Sequence, residues 1–142
     1  MIAIGSDHGG LNLKGYIEKY LDENGIEYKD FGTFDTSSCD YPDIAEKVCG
    51  SVSDKESEKG ILVCGTGIGM SICANKIKGI RAALCGDCFS AQMTKEHNNA
   101  NVLCLGARVI GSELAFRIAD TFIDSKFSND ERHIRRINML EQ

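Results

Sequence analysis

In the stretch Val63-Cys64-Gly65-Thr66-Gly67-Ile68-Gly69-Met70, a thiol ends an apolar run. Three alternating glycines then lead into a helix-like segment carrying Ile68, Ile72 and Cys73. Absent side chains let a ligand come close to backbone N–H groups, and a helix start adds a field that favours negative charge. An anion or a developing oxyanion suits such a loop. It is not a Walker loop, because no Gly-Lys-Ser/Thr follows. Nor is it a dinucleotide fingerprint, because Met70 stands where the third glycine would be and the loop follows the third strand, not the first. A thiol so placed favours its anionic form and can act as a base or nucleophile. Free cysteine is also a common small hydrophobe of buried strands. The adjacent glycines and Thr66 are what favour the chemical role for Cys64.

Three further groups carry polar chemistry. Asp7 and His8 follow the first apolar run, with Gly9 and Gly10 entering the next helix. Such a pair can be a cap and a surface imidazole, but its place favours a polar contact to a ligand. His97 and Asn98 precede the last strand. Arg132, Arg135 and Arg136 put three of the six arginines within five residues. A basic run is often a solvated helix face. Arg132 and Arg136, however, are four apart and share one face, while Ile134 and Ile137 point elsewhere. Two guanidinium forks side by side suit a phosphate dianion. Cys85-Gly-Asp-Cys88 is a C-x-x-C without a second pair or the thioredoxin context, so it reads as two ordinary thiols.

The elements that must position these groups alternate. Strand-length apolar runs recur at residues 2–5, 28–32, 61–65, 80–85 and 102–106, with helical periodicity between them. Leu13, Ile17, Tyr20 and Leu21 share one helical face; Ile44, Val48 and Val52 form a second; Leu114, Ile118 and Phe122 form a third. Pro42 suits a first helical turn, Asp87 and Ser112 suit N-caps, and Ser128-Asn-Asp-Glu131 reads as a capping box opening a last helix. These features predict one domain over residues 1–142: an α/β, three-layer, doubly wound (Rossmann-like) five-stranded parallel sheet in the order 2-1-3-4-5. Its switch point falls between strands 1 and 3, where Asp7–His8 and the Cys64 loop would face one another. His97, Asn98 and the C-terminal arginines should emerge at the opposite edge. If they act at the same site, a neighbouring subunit must present them, with the last helix reaching that partner.

Composition narrows the partners. A formal charge of -5 and a pI near 5.2 argue against a nucleic-acid or anionic-membrane surface. No run approaches the roughly 18–20 apolar residues of a membrane span. Met1-Ile2-Ala3-Ile4 enters an apolar run without a basic leader, so the protein is expected to be soluble and unexported. Seven cysteines, an odd number, with Cys64, Cys73, Cys85 and Cys104 inside apolar runs, read as reduced thiols in a cytoplasm.

Taken together, GSDHGG at 5–10, DYPD at 40–43, CGTGIGMSICANK at 64–76, GIRAAL at 79–84, EHNNANVLCLGARV at 96–109 and RHIRR at 132–136 are distinctive. In order and spacing they resemble the ribose-5-phosphate isomerase B family, which includes galactose-6-phosphate isomerase subunits. The resemblance implies aldose–ketose isomerisation of a sugar phosphate through an enediolate, without metal or cofactor, in the pentose phosphate pathway. It implies Cys64 as the base between C1 and C2, with the amides of Gly65, Gly67, Ile68 and Gly69 holding the enediolate oxygen. Thr66 and His97 would open the furanose ring; Asp7, His8 and Asn98 would hold hydroxyls; Arg108, Arg132 and Arg136 would bind phosphate. One branch of the family lacks the cysteine and uses a glutamate at the position of Met70. A thioether accepts no proton, so Cys64 is the base of either place here. Arg135 is outside the family pattern and receives no role. A homodimer with shared sites is expected, and pairing into tetramers stays open. Rival readings are a hexose-phosphate isomerase acting on allose 6-phosphate or galactose 6-phosphate, and a non-catalytic sugar-phosphate sensor with no use for Cys64.

Overall fold

Continuous apolar runs become central strands only when helices cover both faces of the sheet, and the computed structural model, which describes all of residues 1–142, has that arrangement. Five parallel strands, β1 (Ile2–Ser6), β2 (Tyr28–Asp30), β3 (Lys59–Cys64), β4 (Ala82–Leu84) and β5 (Val102–Gly106), form one sheet. The helices are α1 (Leu11–Glu23), α2 (Tyr41–Ser53), α3 (Ile68–Ala74), α4 (Cys88–Asn98), α5 (Ser112–Asp124) and α6 (Glu131–Leu140). Side chains alternate across the sheet. Ile2, Ile4, Ile61, Val63, Leu103 and Leu105 pack under α1, α4 and α5, whereas Ala3, Leu62, Cys64, Val102 and Cys104 pack under α2 and α3.

The doubly wound parallel sheet expected from the sequence is present, with one correction at its edge: the order is 2-1-3-5-4 instead of 2-1-3-4-5. β5 pairs with β3 on one side and β4 on the other, Val102 facing both Gly60 and Ala82. The reason is burial. All five residues of β5 are buried, while the three of β4 are partly or largely exposed. A short, half-wet strand belongs at the rim, and the longer apolar one takes the interior position between β3 and β4. The helices then sort by direction of travel. α1 and α4, which carry the chain one way across the sheet, share one layer; α2 and α3, which carry it back, share the other. Crossovers of a single hand require that division. The switch point stays between β1 and β3.

Helix ends show what local signals decide. Pro42 lies in the first turn of α2, and Asp87 caps α4 by accepting the Ser90 N–H at 2.7 Å. Gly111, not Ser112, is the N-cap of α5. The capping box before α6 does not form: Ser128 Oγ accepts the Asp130 N–H and pairs with His133 Nδ1. Burial refines the apolar faces too. Leu13, Ile17 and Leu21 are buried with Tyr20 only partly so, and α5 buries Ala115, Ile118, Ala119 and Phe122 while Leu114 lies outside. In α3 the buried residues are Met70 and Ala74, leaving Ile68 and Ile72 exposed.

Candidate active site

Cys64 is the last residue of β3 and only 5% exposed, and the Gly67 N–H donates to its Sγ at 3.1 Å. That contact exists because Gly67 turns the chain at φ +80°, a left-handed conformation that glycine takes without strain. The positive end of an amide dipole thus faces the sulfur. The neighbouring Ile68 N–H donates to Thr66 Oγ1 at 3.2 Å, so two of the loop's amides are engaged within the loop itself.

The glycines admit parts of the same chain. A methyl group on Gly65 would lie 3.5 Å from Arg108 Nη1, one on Gly67 would lie 2.5 Å from Leu84 Cδ1, and one on Gly69 would lie 2.6 Å from the Tyr41 ring. The loop is therefore closed by three long-range neighbours as well as being open to a ligand.

Asp7 and His8 face it across the switch point. Asp7 is buried, accepts the Gly10 N–H at 3.0 Å and gives its own N–H to Val63 O. His8 is exposed, and its Nδ1 accepts the Cys39 N–H at 3.3 Å, which leaves Nε2 free to meet a ligand. Arg108, two residues past β5, donates its backbone N–H to Gly65 O, and its guanidinium lies over both Gly65 and Gly9. Asp7, His8, Cys64, Gly65, Thr66, Gly67, Ile68, Gly69 and Arg108 therefore converge at the carboxyl ends of β1, β3 and β5. Met70 is fully buried in the core cluster that contains Cys64.

The remaining site residues lie elsewhere. His97 and Asn98 end α4 instead of occupying the connection after it, next to the amino ends of β4 and β5. The length of a strand, about 15 Å at roughly 3.3 Å per residue, separates them from Cys64. Arg132 and Arg136 are exposed on α6, which docks on the end of α4. The docking residue, His133, went unassigned in the sequence reading. It is buried, its ring lies 4.5 Å from that of His97, and its Nδ1 pairs with Ser128 Oγ at 2.7 Å. Burial, then the adjacent His97 and Arg132, hold its pKa below the ordinary imidazole value. The available signal was spacing: His133 and the half-buried Ile137 are four apart, on a face next to the arginines.

The other buried cysteines are inert thiols. Burial pushes Cys49 up to about 12, Cys85 up to about 11 and Cys104 well above its ordinary value. For Cys85 that fits the reading as an ordinary thiol.

A parallel doubly wound sheet with a cysteine–glycine loop and an Asp–His turn meeting at its switch point defines an α/β protein with a small-molecule site. The chain belongs to the Ribose/Galactose Isomerase family, whose model it matches over residues 2–140. It is 44% identical over 139 residues to ribose-5-phosphate isomerase B of Escherichia coli K12, covering 98% of this chain and 93% of that one. It is 46% identical over 127 residues to a D-erythrulose-4-phosphate isomerase of Pectobacterium atrosepticum, covering 89% and 84%. Among solved structures, a ribose 5-phosphate isomerase of Thermotoga maritima superposes with a TM-score of 0.97 at 51% identity, covering 99% of this chain and 96% of that one. No helix is long and apolar enough to cross a membrane.

Proposed function

We propose that this chain, as one domain, is an aldose–ketose isomerase that interconverts D-ribose 5-phosphate and D-ribulose 5-phosphate. The observation that carries the reading is the Cys64 sulfur held at 3.1 Å from the Gly67 amide, opposite Asp7 and His8. In the forward direction the Cys64 thiolate takes the proton from C2 of the open-chain aldose, and the electron pair moves to the C1 carbonyl oxygen to give an enediolate. The thiol then returns the proton to C1, while the C2 hydroxyl passes its own proton to the C1 oxygen and becomes the carbonyl, so no atom is gained or lost. Charge developing on oxygen is met by loop amides, as in an oxyanion hole; the Gly67 and Ile68 amides must exchange their present acceptors to take part. Thr66 and the partner's His97 open the furanose ring. Asp7 and His8, together with the partner's Asn98, hold hydroxyls. Arg108, with the partner's Arg132 and Arg136, holds the phosphate.

The shared site is supported by the separation of the two residue groups and by exposed Ile68, Leu84 and Val109 around the loop, an apolar rim that a second copy would cover. A homodimer is the smallest assembly that completes the site, and a tetramer of such dimers is compatible with it. Buried unpaired cysteines support a reducing cytoplasm as the location.

The test compares kcat/KM on four-, five- and six-carbon aldose and ketose phosphates for the wild type and Cys64→Ala. The expected result is a preference for ribose 5-phosphate, with kcat falling about a thousand-fold or more in Cys64→Ala while the ligand still binds. Preference for a hexose phosphate overturns the substrate, and an active Cys64→Ala protein overturns the base.

A further inference from the structure

Arg81, just before β4, joins the two helices that carry the residues remote from Cys64. Its Nε donates to Asn98 O and its Nη2 to Asn99 O, each at 2.9 Å, while its Nη1 bonds Glu141 Oε1 at 2.5 Å. The first two acceptors are terminal carbonyls of α4, where Asn99 is the left-handed C-cap and the helix dipole is negative. The third belongs to the C-cap residue of α6. The arginine is itself anchored: its N–H donates to Asn101 Oδ1 at 2.9 Å, and its carbonyl accepts the Asn101 N–H at 3.0 Å.

α6 needs such a hold, because His133 is its only buried residue. At its start it is tied to α4 by the Ser128 N–H on Glu96 O and by the His133 ring against His97. At its far end the Arg81–Glu141 pair is its ion pair to the rest of the fold. A planar guanidinium presents a separate nitrogen to each of the three acceptors on the two helices, whereas an ammonium offers its donors from a single nitrogen.

We propose that Arg81 is a positioning residue that fixes α4 to α6, and so sets the spacing between His97 and Asn98 on one helix and Arg132 and Arg136 on the other before they meet a partner's loop. The inference rests on the shared-site reading above. It makes Arg81, which never needs to touch the sugar, part of the half-site its own chain lends to its neighbour. Misplacement by about 1 Å of groups that must meet a reacting substrate costs on the order of a hundred-fold in rate.

The test is complementation between subunits. Arg81→Ala alone is expected to lose about a hundred-fold in kcat. Mixed with inactive Cys64→Ala under conditions of confirmed subunit exchange, it should recover activity as a mixture of Cys64→Ala and His97→Ala does. The mixed dimer then joins the intact loop of the Arg81→Ala chain to the intact half-site of the other. Mixed with His97→Ala, it should recover nothing, because both lesions fall in the same half-site. A variant that merely loosened the fold would damage its own Cys64 loop and fail with Cys64→Ala. Arg81→Lys, which keeps the charge and loses the fork, is expected to group in the same way and serves should Arg81→Ala not fold. Wild-type turnover in both variants overturns the proposal, as does recovery with His97→Ala. If the mixture of Cys64→Ala with His97→Ala recovers but that with the Arg81 variants does not, the brace alone falls. If that control mixture stays inactive after exchange, the shared site falls and the brace with it.

Discussion

Gly67 is the residue on which the thiol's geometry turns. Its φ of +80° delivers its own N–H to the Cys64 sulfur, and its missing side chain admits Leu84 and the backbone of Leu105. Gly67→Ala would put a methyl group 2.5 Å from Leu84 Cδ1 in a left-handed conformation, a strain of about 1–3 kcal/mol. The expected outcome is a drop of several degrees in Tm together with a loss of kcat larger than any change in KM, read by thermal melts and steady-state kinetics. Unchanged stability and turnover would mean that the turn does not need a glycine. Cys64, the spacing of the glycines and the pair Arg132–Arg136 were legible because each signal is local. What placed Arg108 on Gly65 and Tyr41 on Gly69 was not, since those partners are more than 25 residues away in the chain and no local period encodes them.

Between elements, the connection from β2 to α2 is held by a buried cluster. Lys14 of α1 is almost fully buried and donates to Asp30 Oδ1 at 2.7 Å and to Thr33 O. Glu18, one turn further along α1, has Oε1 buried without a partner. Burial first, and the adjacent Asp30 carboxylate second, push its pKa up to about 7 from 4.5, while Asp30 itself is held low, its own burial outweighed by the neighbouring Glu18 carboxyl and by hydrogen bonds from the Lys14 ammonium and the Gly32 N–H. A carboxyl group whose folded pKa is raised contributes stability that is complete below 4.5 and is lost as pH rises through about 7. Tm should therefore fall between about pH 5 and 8 on account of this group, and Glu18→Gln should flatten that fall and melt higher than the wild type at pH 8. Equal slopes in melts of both proteins across this range would refute the assignment. The sequence showed the helices and the central strands at this scale because long apolar faces repeat. It misplaced β4 and β5 because a continuous apolar run does not reveal how few of its residues pair: of residues 80–85 only Ala82–Leu84 join the sheet.

Across the whole molecule, the loop that carries Cys64 and the groups that would complete it lie at opposite edges of one sheet. This separation was readable in advance from strand direction alone, since residues after a parallel strand and residues before the next must leave by different edges. What the sequence did not show is the surface through which a second copy would approach. In α3 Met70 and Ala74 fill the core, and Ile68 joins Leu84 and Val109 in an exposed apolar hollow lined also by Thr66 and Gly106. Val109 is 67% exposed and Ile68 52%, so a carboxylate at either costs an isolated chain little. In an interface the same carboxylate would be buried without a partner, which strongly disfavours association. Val109→Asp is therefore expected to sediment as a monomer that still melts cooperatively, and to lose isomerase activity by two orders of magnitude or more, as its His97 no longer reaches a neighbour's Cys64. A Val109→Asp protein that is monomeric and fully active would show that one chain completes its own site; one that remains a fully active dimer would show that association uses another face.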